Sequence, residues 1–194
     1  MAYEAKNYDH LIGLEGFSET LLKNHFTLYQ GYVKNTNALV ELLDKKEVGT
    51  PEYAELQRRL GWEWNGMRLH ELYFGNMKQG GSAIPEGAVK ERVLAIYGDL
   101  ENWKKNFTGV GAMRGIGWVI LYYDREANEL FTTWINEHDV GHLSGCVPLV
   151  VMDVFEHAYM TDYGIKRADY IEAFMKAIDW NVVNDRFSKA HSSL

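Results

Sequence analysis

Apolar positions along the chain change their spacing near its middle. Over residues 18–44, SETLLKNHFTLYQGYVKNTNALVELLD, a Ser-Glu-Thr start is followed by Leu21, Leu28, Tyr32, Leu39 and Leu43 at helical intervals, which predicts one long amphipathic helix. Residues 51–77 predict a second, with Pro51 in its first turn and Gly80-Gly81 beyond its end. The short connection between them makes the pair an antiparallel hairpin. A third helix is expected over 86–107, stopping before the Gly-rich TGVGAMRGIG. From there the pattern is strand-like: WVILYYD, a turn at REANE, LFTTWI and then CVPLVVM are rich in Val, Ile, Tyr and Thr. Residues 168–178 and 181–190 return to helix. The expected fold class is therefore α+β, an N-terminal antiparallel α-hairpin (1–83) followed by a C-terminal unit (84–194) with a small antiparallel sheet and flanking helices.

Composition narrows the function classes. At 194 residues and 46% hydrophobic, the chain can bury one full core or two small ones packed together. Cys146 is the only cysteine, which excludes an intrachain disulfide, a CxxC redox pair and a thiolate zinc cluster. A reducing, cytoplasmic compartment fits that usage. The N-terminal MAYEAKNYDHLIGLEG has no basic and apolar leader pattern, and no stretch approaches ~18 consecutive apolar residues, so neither export nor a membrane span is expected. A formal net charge of -7 without a basic run argues against nucleic acid. It argues equally against attraction of a small anion by the whole protein, so an anionic substrate would need local steering.

The candidate chemistry lies in the histidines and one carboxylate. In VPLVVMDVFEHAYMTDYG, residues 147–164, Asp153 follows a β-branched run directly, where an ionised carboxylate is costly unless paired or bound to a metal. His25 and His70 each fall inside one of the two hairpin helices. A lone histidine on an apolar helix face is usually a core residue, but these two sit on neighbouring helices and a third appears in the D-x-x-x-H of Asp153 and His157. Three His and one Asp form an N/O donor set suited to iron or manganese, less to zinc and least to calcium. The alternative for Asp153 and Glu156, a helix N-cap with an acidic first turn, accounts for the acids and not for the histidines.

DVFEHAYMTDYGIKRADYIEAFMKAIDW resembles the C-terminal signature of the iron/manganese superoxide dismutases, D-x-W-E-H-A-Y-Y followed by R-x-D-Y and a closing W-x-x-V-x-W block. The resemblance extends over nearly the whole chain and includes the G-x-G-W strand, here GIGW at 115–118. It implies an α-hairpin joined to a three-stranded antiparallel sheet with helices, and dismutation of superoxide at one iron or manganese ion per subunit, with iron the first choice. The implied ligands are His25, His70, Asp153 and His157. Tyr73 and Trp118 match aromatic positions around the ligands. Glu156 matches a carboxylate that reaches the partner subunit's ligand histidine, which implies a homodimer or a dimer of dimers. Arg167, in R-x-D-Y, is the candidate for steering superoxide; a solvated helix-start arginine is the plain alternative.

Several positions depart from the family's pattern. The tyrosine beside the substrate channel usually follows the first ligand by eight residues, whereas Tyr32 follows His25 by seven. Seven residues fall ~20° short of two turns in a regular helix, so Tyr32 is expected to keep that face and an inserted π-turn to be lost. Tyr29 and Met160 stand where the family carries a His and a Tyr that pair across the subunit interface. The glutamine that many members place four residues before the second ligand is Gly66 here. In HDVGHLSGCVPL, His138 is expected to act in its stead toward the solvent in the open position, with His142 the competitor. Two other functions stay open: a metal-free structural relative, and a mononuclear non-haem iron oxygenase using a 2-His-1-carboxylate face.

Overall fold

The computed structural model describes residues 2–192. Helix α1 (Glu19–Lys45) begins where the Ser18 side chain accepts a hydrogen bond from Leu21 N, and Asp162 holds the Ser18 N–H and hydroxyl at 2.7 and 2.6 Å. Helix α2 (Pro51–Gly75) opens with Thr50 capping Tyr53 N and with proline in its first turn. Contacts between them run in opposite order along the two chains: His25 meets Phe74, Tyr29 reaches Glu71, and Asn35 reaches Glu63. This is the expected antiparallel hairpin. The expected third helix is two, α3 (Ala88–Tyr97) and α4 (Leu100–Gly111). Gly98 turns the backbone to φ 82°, a left-handed conformation that ends a helix, and Asp99 then caps the next one by accepting from Asn102 N at 2.6 Å.

Three strands follow, β1 (Gly117–Asp124), β2 (Glu129–Asn136) and β3 (Val147–Asp153), in an antiparallel sheet ordered β2-β1-β3. The central strand is buried from Gly117 to Tyr123, which is why its sequence is continuously apolar and not alternating. Gly117 sits at φ 148° with its would-be Cβ against the carbonyl of Ile135, so only glycine fits the start of that strand. The chain then makes a 3₁₀ turn at Glu156–Ala158 and three helices, α5 (Met160–Tyr163), α6 (Arg167–Ala177) and α7 (Trp180–His191). Buried side chains from Leu11 through the hairpin, the sheet and α7 form one continuous core. Among the described residues no helix is long and apolar enough to cross a membrane.

Candidate metal centre

Four donors from four elements meet where the hairpin packs on the end of β3. His25 lies on α1, His70 on α2, Asp153 is the last residue of β3, and His157 lies in the 3₁₀ turn. Asp153 Oδ2 is 3.1 Å from His25 Nε2, 3.0 Å from His157 Nε2 and 3.6 Å from His70 Nε2. The four ligand atoms all lie within 4.8 Å of one another. Asp153 and His70 are fully buried and His25 nearly so, while the His157 side chain is 25% exposed. The other Asp153 oxygen accepts from Phe155 N at 2.8 Å, which aims the carboxylate by a local turn.

The His70 ring carries the test of fit for an ion. Its Nδ1–H donates to the Gly66 carbonyl at 2.6 Å, so Nε2 is left as a lone pair. That buried atom has no hydrogen-bond partner among the described residues and faces the Asp153 carboxylate. Two buried acceptors facing each other are unfavourable unless a positive charge lies between them. A cation held by three imidazole nitrogens and one carboxylate oxygen supplies that charge, and the donor set suits iron or manganese.

Burial pushes the protonation of His25 down against the pull of Asp153, and pushes that of His70 well below the ordinary imidazole range, with neighbouring His25 adding to the effect. For Asp153, burial alone would favour the neutral acid. The nearby His157 and the hydrogen bonds from His157 and His25 more than offset this and hold the carboxyl below the usual range. The His25 and His70 rings are therefore held neutral beside one anion.

Beside the donors stands a second polar chain. Trp118 Nε1–H donates to His138 Nδ1 at 3.0 Å, and His138 Nε2 lies 2.7 Å from the Tyr32 hydroxyl. Because an indole N–H can only donate, His138 carries its proton on Nε2 and gives it to the Tyr32 oxygen. Helix α1 runs unbroken from Glu19 to Lys45, so the seven-residue spacing leaves His25 and Tyr32 both against His70, with ring centroids 5.0 and 5.2 Å away. Gly66 is needed for this approach: a Cβ there would lie within 2.9 Å of three atoms of the Tyr32 ring. His142 has a different place. It lies 2.7 Å from the Tyr122 hydroxyl and donates through Nε2 to the His138 carbonyl at 2.9 Å, so it braces the loop that carries His138.

Burial also pushes His138 down to about 4. Between that value and about 6.5, the ordinary value in an unfolded chain, the unfolded protein takes up a proton that the folded protein refuses. Stability contributed by neutral His138 is thus complete above about 6.5 and is lost as the pH falls toward 4. His138→Gln removes this titration while keeping one donor and one acceptor. The metal-free parent is expected to lose on the order of 3 kcal/mol more than the variant between pH 7 and 4, read from urea midpoints. Equal losses in the two proteins would contradict the assignment.

The five remaining expected residues lie around these two groups. Tyr73 lies tilted against His25 at 5.3 Å and is buried; its hydroxyl is 3.1 Å from that of Tyr170, which donates to the Asp153 carbonyl at 2.6 Å. Glu156 is exposed beside His157. Arg167 is not among the donors: its guanidinium donates to the carbonyls of Met113 and Gly115 at 2.7 and 2.8 Å and lies over the Tyr159 ring. Tyr29, which replaces the family's interface-pairing histidine, is turned into the core, where its hydroxyl donates to Glu71 Oε1 and accepts from Lys6 N. Met160 is 48% exposed.

Sequence reasoning missed Trp62, Phe155 and Tyr170. Trp62 packs edge-on against His138 at 4.9 Å, and Phe155 stacks on both His138 and His157. Trp62, Gly66 and His70 recur every four residues, and that shared helix face was the available signal. Tyr170 had only its place in R-x-D-Y.

Comparison with known proteins gives the same grouping. Residues 85–186 match the model of the iron/manganese superoxide dismutases, C-terminal domain. Superoxide dismutase [Fe] of Aquifex pyrophilus is 39% identical over 193 aligned residues, covering 94% of this chain and 90% of that protein. The corresponding Aquifex aeolicus protein is 38% identical over the same span. Superoxide dismutase [Mn] 2 of Haloferax volcanii is 36% identical over 174 residues, 89% of this chain and 87% of that protein. With the donor cluster, the fold and these relatives in agreement, the chain belongs to the iron/manganese superoxide dismutase family.

Proposed function

We propose that the protein is a superoxide dismutase, converting two superoxide ions and two protons to dioxygen and hydrogen peroxide at an ion held by His25, His70, His157 and Asp153. The observation that carries this reading is the unpartnered His70 Nε2 facing the Asp153 carboxylate inside an N/O donor set. When bound, iron or manganese supplies one-electron exchange between its +3 and +2 states. Iron is the first choice, since the Aquifex relatives are named for it; the Haloferax protein keeps manganese open.

The chain's own residues control protons and access. With His138 Nε2–H directed at the Tyr32 oxygen, the Tyr32 proton is free to point away from His138. Burial raises the ionisation of Tyr32, helped by the negative charge of Asp153, and lowers that of His138, so both stay neutral around pH 7. Tyr32 is thus the group that holds a proton for the departing peroxide, and His138 the group that orients it. Trp118, Phe155 and Tyr73 set aromatic rings against the donors and Trp62 packs behind them on His138, which suits a small substrate. The fork of Arg167 is committed to two loop carbonyls, so we assign it a holding role, with any steering of superoxide secondary.

Exposed Glu156, adjacent to His157, supports a homodimer in which it meets the partner's ligand histidine. A lone cysteine supports a reducing, cytoplasmic setting. Anaerobic reconstitution with Fe(II) or Mn(II), followed by superoxide turnover per bound ion, tests the reading. One ion per chain with turnover is expected; full loading without turnover would sink it, and a chain that takes up no ion would favour the metal-free structural relative.

A further inference from the structure

The free edge of β3 is closed by side chains and not by another strand. Leu149, Val151 and Asp153 alternate along that edge. Arg186 of α7 donates to the Leu149 carbonyl at 2.6 Å. The Asn76 side chain accepts from Val151 N at 2.7 Å and donates to Val151 O at 3.2 Å, as a paired strand residue would. Tyr170 donates to the Asp153 carbonyl. An edge strand leaves such groups without partners, and buried ones must be satisfied.

Two of these side chains also hold the end of α2. Asn76, fully buried, donates to the Tyr73 carbonyl at 2.7 Å, and Arg186 donates to the Leu72 carbonyl at 2.9 Å. Arg186 thus satisfies a carbonyl of the last helical turn, and the Asn76 amide adds a second donor to the Tyr73 carbonyl, which the Asn76 N–H also reaches at 3.2 Å. The same amide and the same guanidinium therefore bind the helix that carries His70 and the strand that ends in Asp153.

We propose that Asn76, backed by Arg186, is a positioning residue that fixes the spacing between His70 and Asp153 and thereby sets how tightly the site holds its ion. Nothing else polar ties the α2 terminus to the β3 edge at Val151 among the described hydrogen bonds. The clamp lies within six residues of His70 and two of Asp153, so loosening it lets the two donors drift apart without removing either. Outer contacts that orient ligands typically change metal affinity ~10–100-fold when lost. The inference rests on the dismutase reading only in requiring that the four donors bind an ion.

The test compares Asn76→Ala, Arg186→Lys and Val183→Ala in the full-length protein. Val183 is a fully buried core residue of α7 outside the clamp, so its truncation costs stability without touching the donors. Mn(II) affinity is read by competition with a chelator, alongside thermal stability and the Mn(II) spectrum. Asn76→Ala is expected to weaken Mn(II) binding about tenfold or more and to alter the spectrum, while Val183→Ala, at a similar loss of stability, stays within about twofold of the parent. Arg186→Lys, which keeps the charge but cannot span both carbonyls, should shift affinity the same way by a smaller factor and remains informative if Asn76→Ala does not fold. Parent-like affinity in both clamp variants, or an equal loss in Val183→Ala, overturns the proposal. A parent that binds no Mn(II) refutes the metal site itself, a separate result.

Discussion

Asp153→Asn is expected to give a folded chain that retains neither iron nor manganese and shows no measurable dismutation. The substitution keeps the shape of the side chain and an oxygen to accept from Phe155 N, so the turn after β3 is preserved. What it removes is the only anion among the four donors. Removing one partner from a buried charged set costs about 3–5 kcal/mol, which corresponds to roughly a thousandfold in affinity. The hydrophobic core does not depend on the ion, and the new amide can donate to His25 and His157, so circular dichroism should match the parent. His25→Ala should behave alike. Bound metal measured at full occupancy in either variant would refute the ligand assignment.

His138→Ala is expected to separate holding the ion from using it. The side chain touches Tyr32, Trp118, Trp62 and Phe155 and none of its nitrogens is aimed at the four donors, so metal content should stay near that of the parent. Tyr32 loses the donor that directs its proton, and Trp118 is left with a buried N–H. Turnover should fall roughly a hundredfold, the scale of a lost proton-transfer arrangement, with a stability cost of about 1–3 kcal/mol for the unpaired indole. His138→Gln should recover most of the turnover, because an amide offers Tyr32 a donor and Trp118 an acceptor at once. His142→Ala should keep both metal and most activity, since its ring holds only the Tyr122 hydroxyl and the His138 carbonyl. An inactive His142 variant beside an active His138→Ala protein would reverse the roles of the two.

The hairpin, the strands and the four donors were legible in the sequence because each leaves a local mark. Helical spacing of leucines marks α1, β-branched runs mark the strands, and an Asp at the end of an apolar run is costly enough to demand a reason. The break between α3 and α4 is less visible: Gly98-Asp99 is a short stop-and-start signal within an otherwise helical pattern. Tyr29, four residues after His25, stands where the family carries a histidine that pairs across the subunit interface. In the structure that same four-residue offset turns it inward beside His25, where Glu71 takes its hydroxyl. The contacts of His138 with Trp118, Tyr32 and Trp62 join residues 20, 106 and 76 positions apart, so no local pattern encodes them. They exist only once the hairpin lies on the sheet.

That assembly also orders events in time. The helices α1 and α2 are sequence neighbours, as are β1 and β2, and each pair can form from local chain closure, which is fast. Asp153 is 128 residues from His25, and its strand must add to β1 before the carboxylate arrives. The complete donor set is therefore expected late in folding, with metal-site formation trailing hairpin formation in stopped-flow refolding. Once it has formed, three of its four ligands are sealed from water, leaving only the partly open His157 edge. An ion reaching the folded chain is therefore expected to enter and leave slowly past His157, and the rate at which a chelator strips Mn(II) from the loaded protein measures that access.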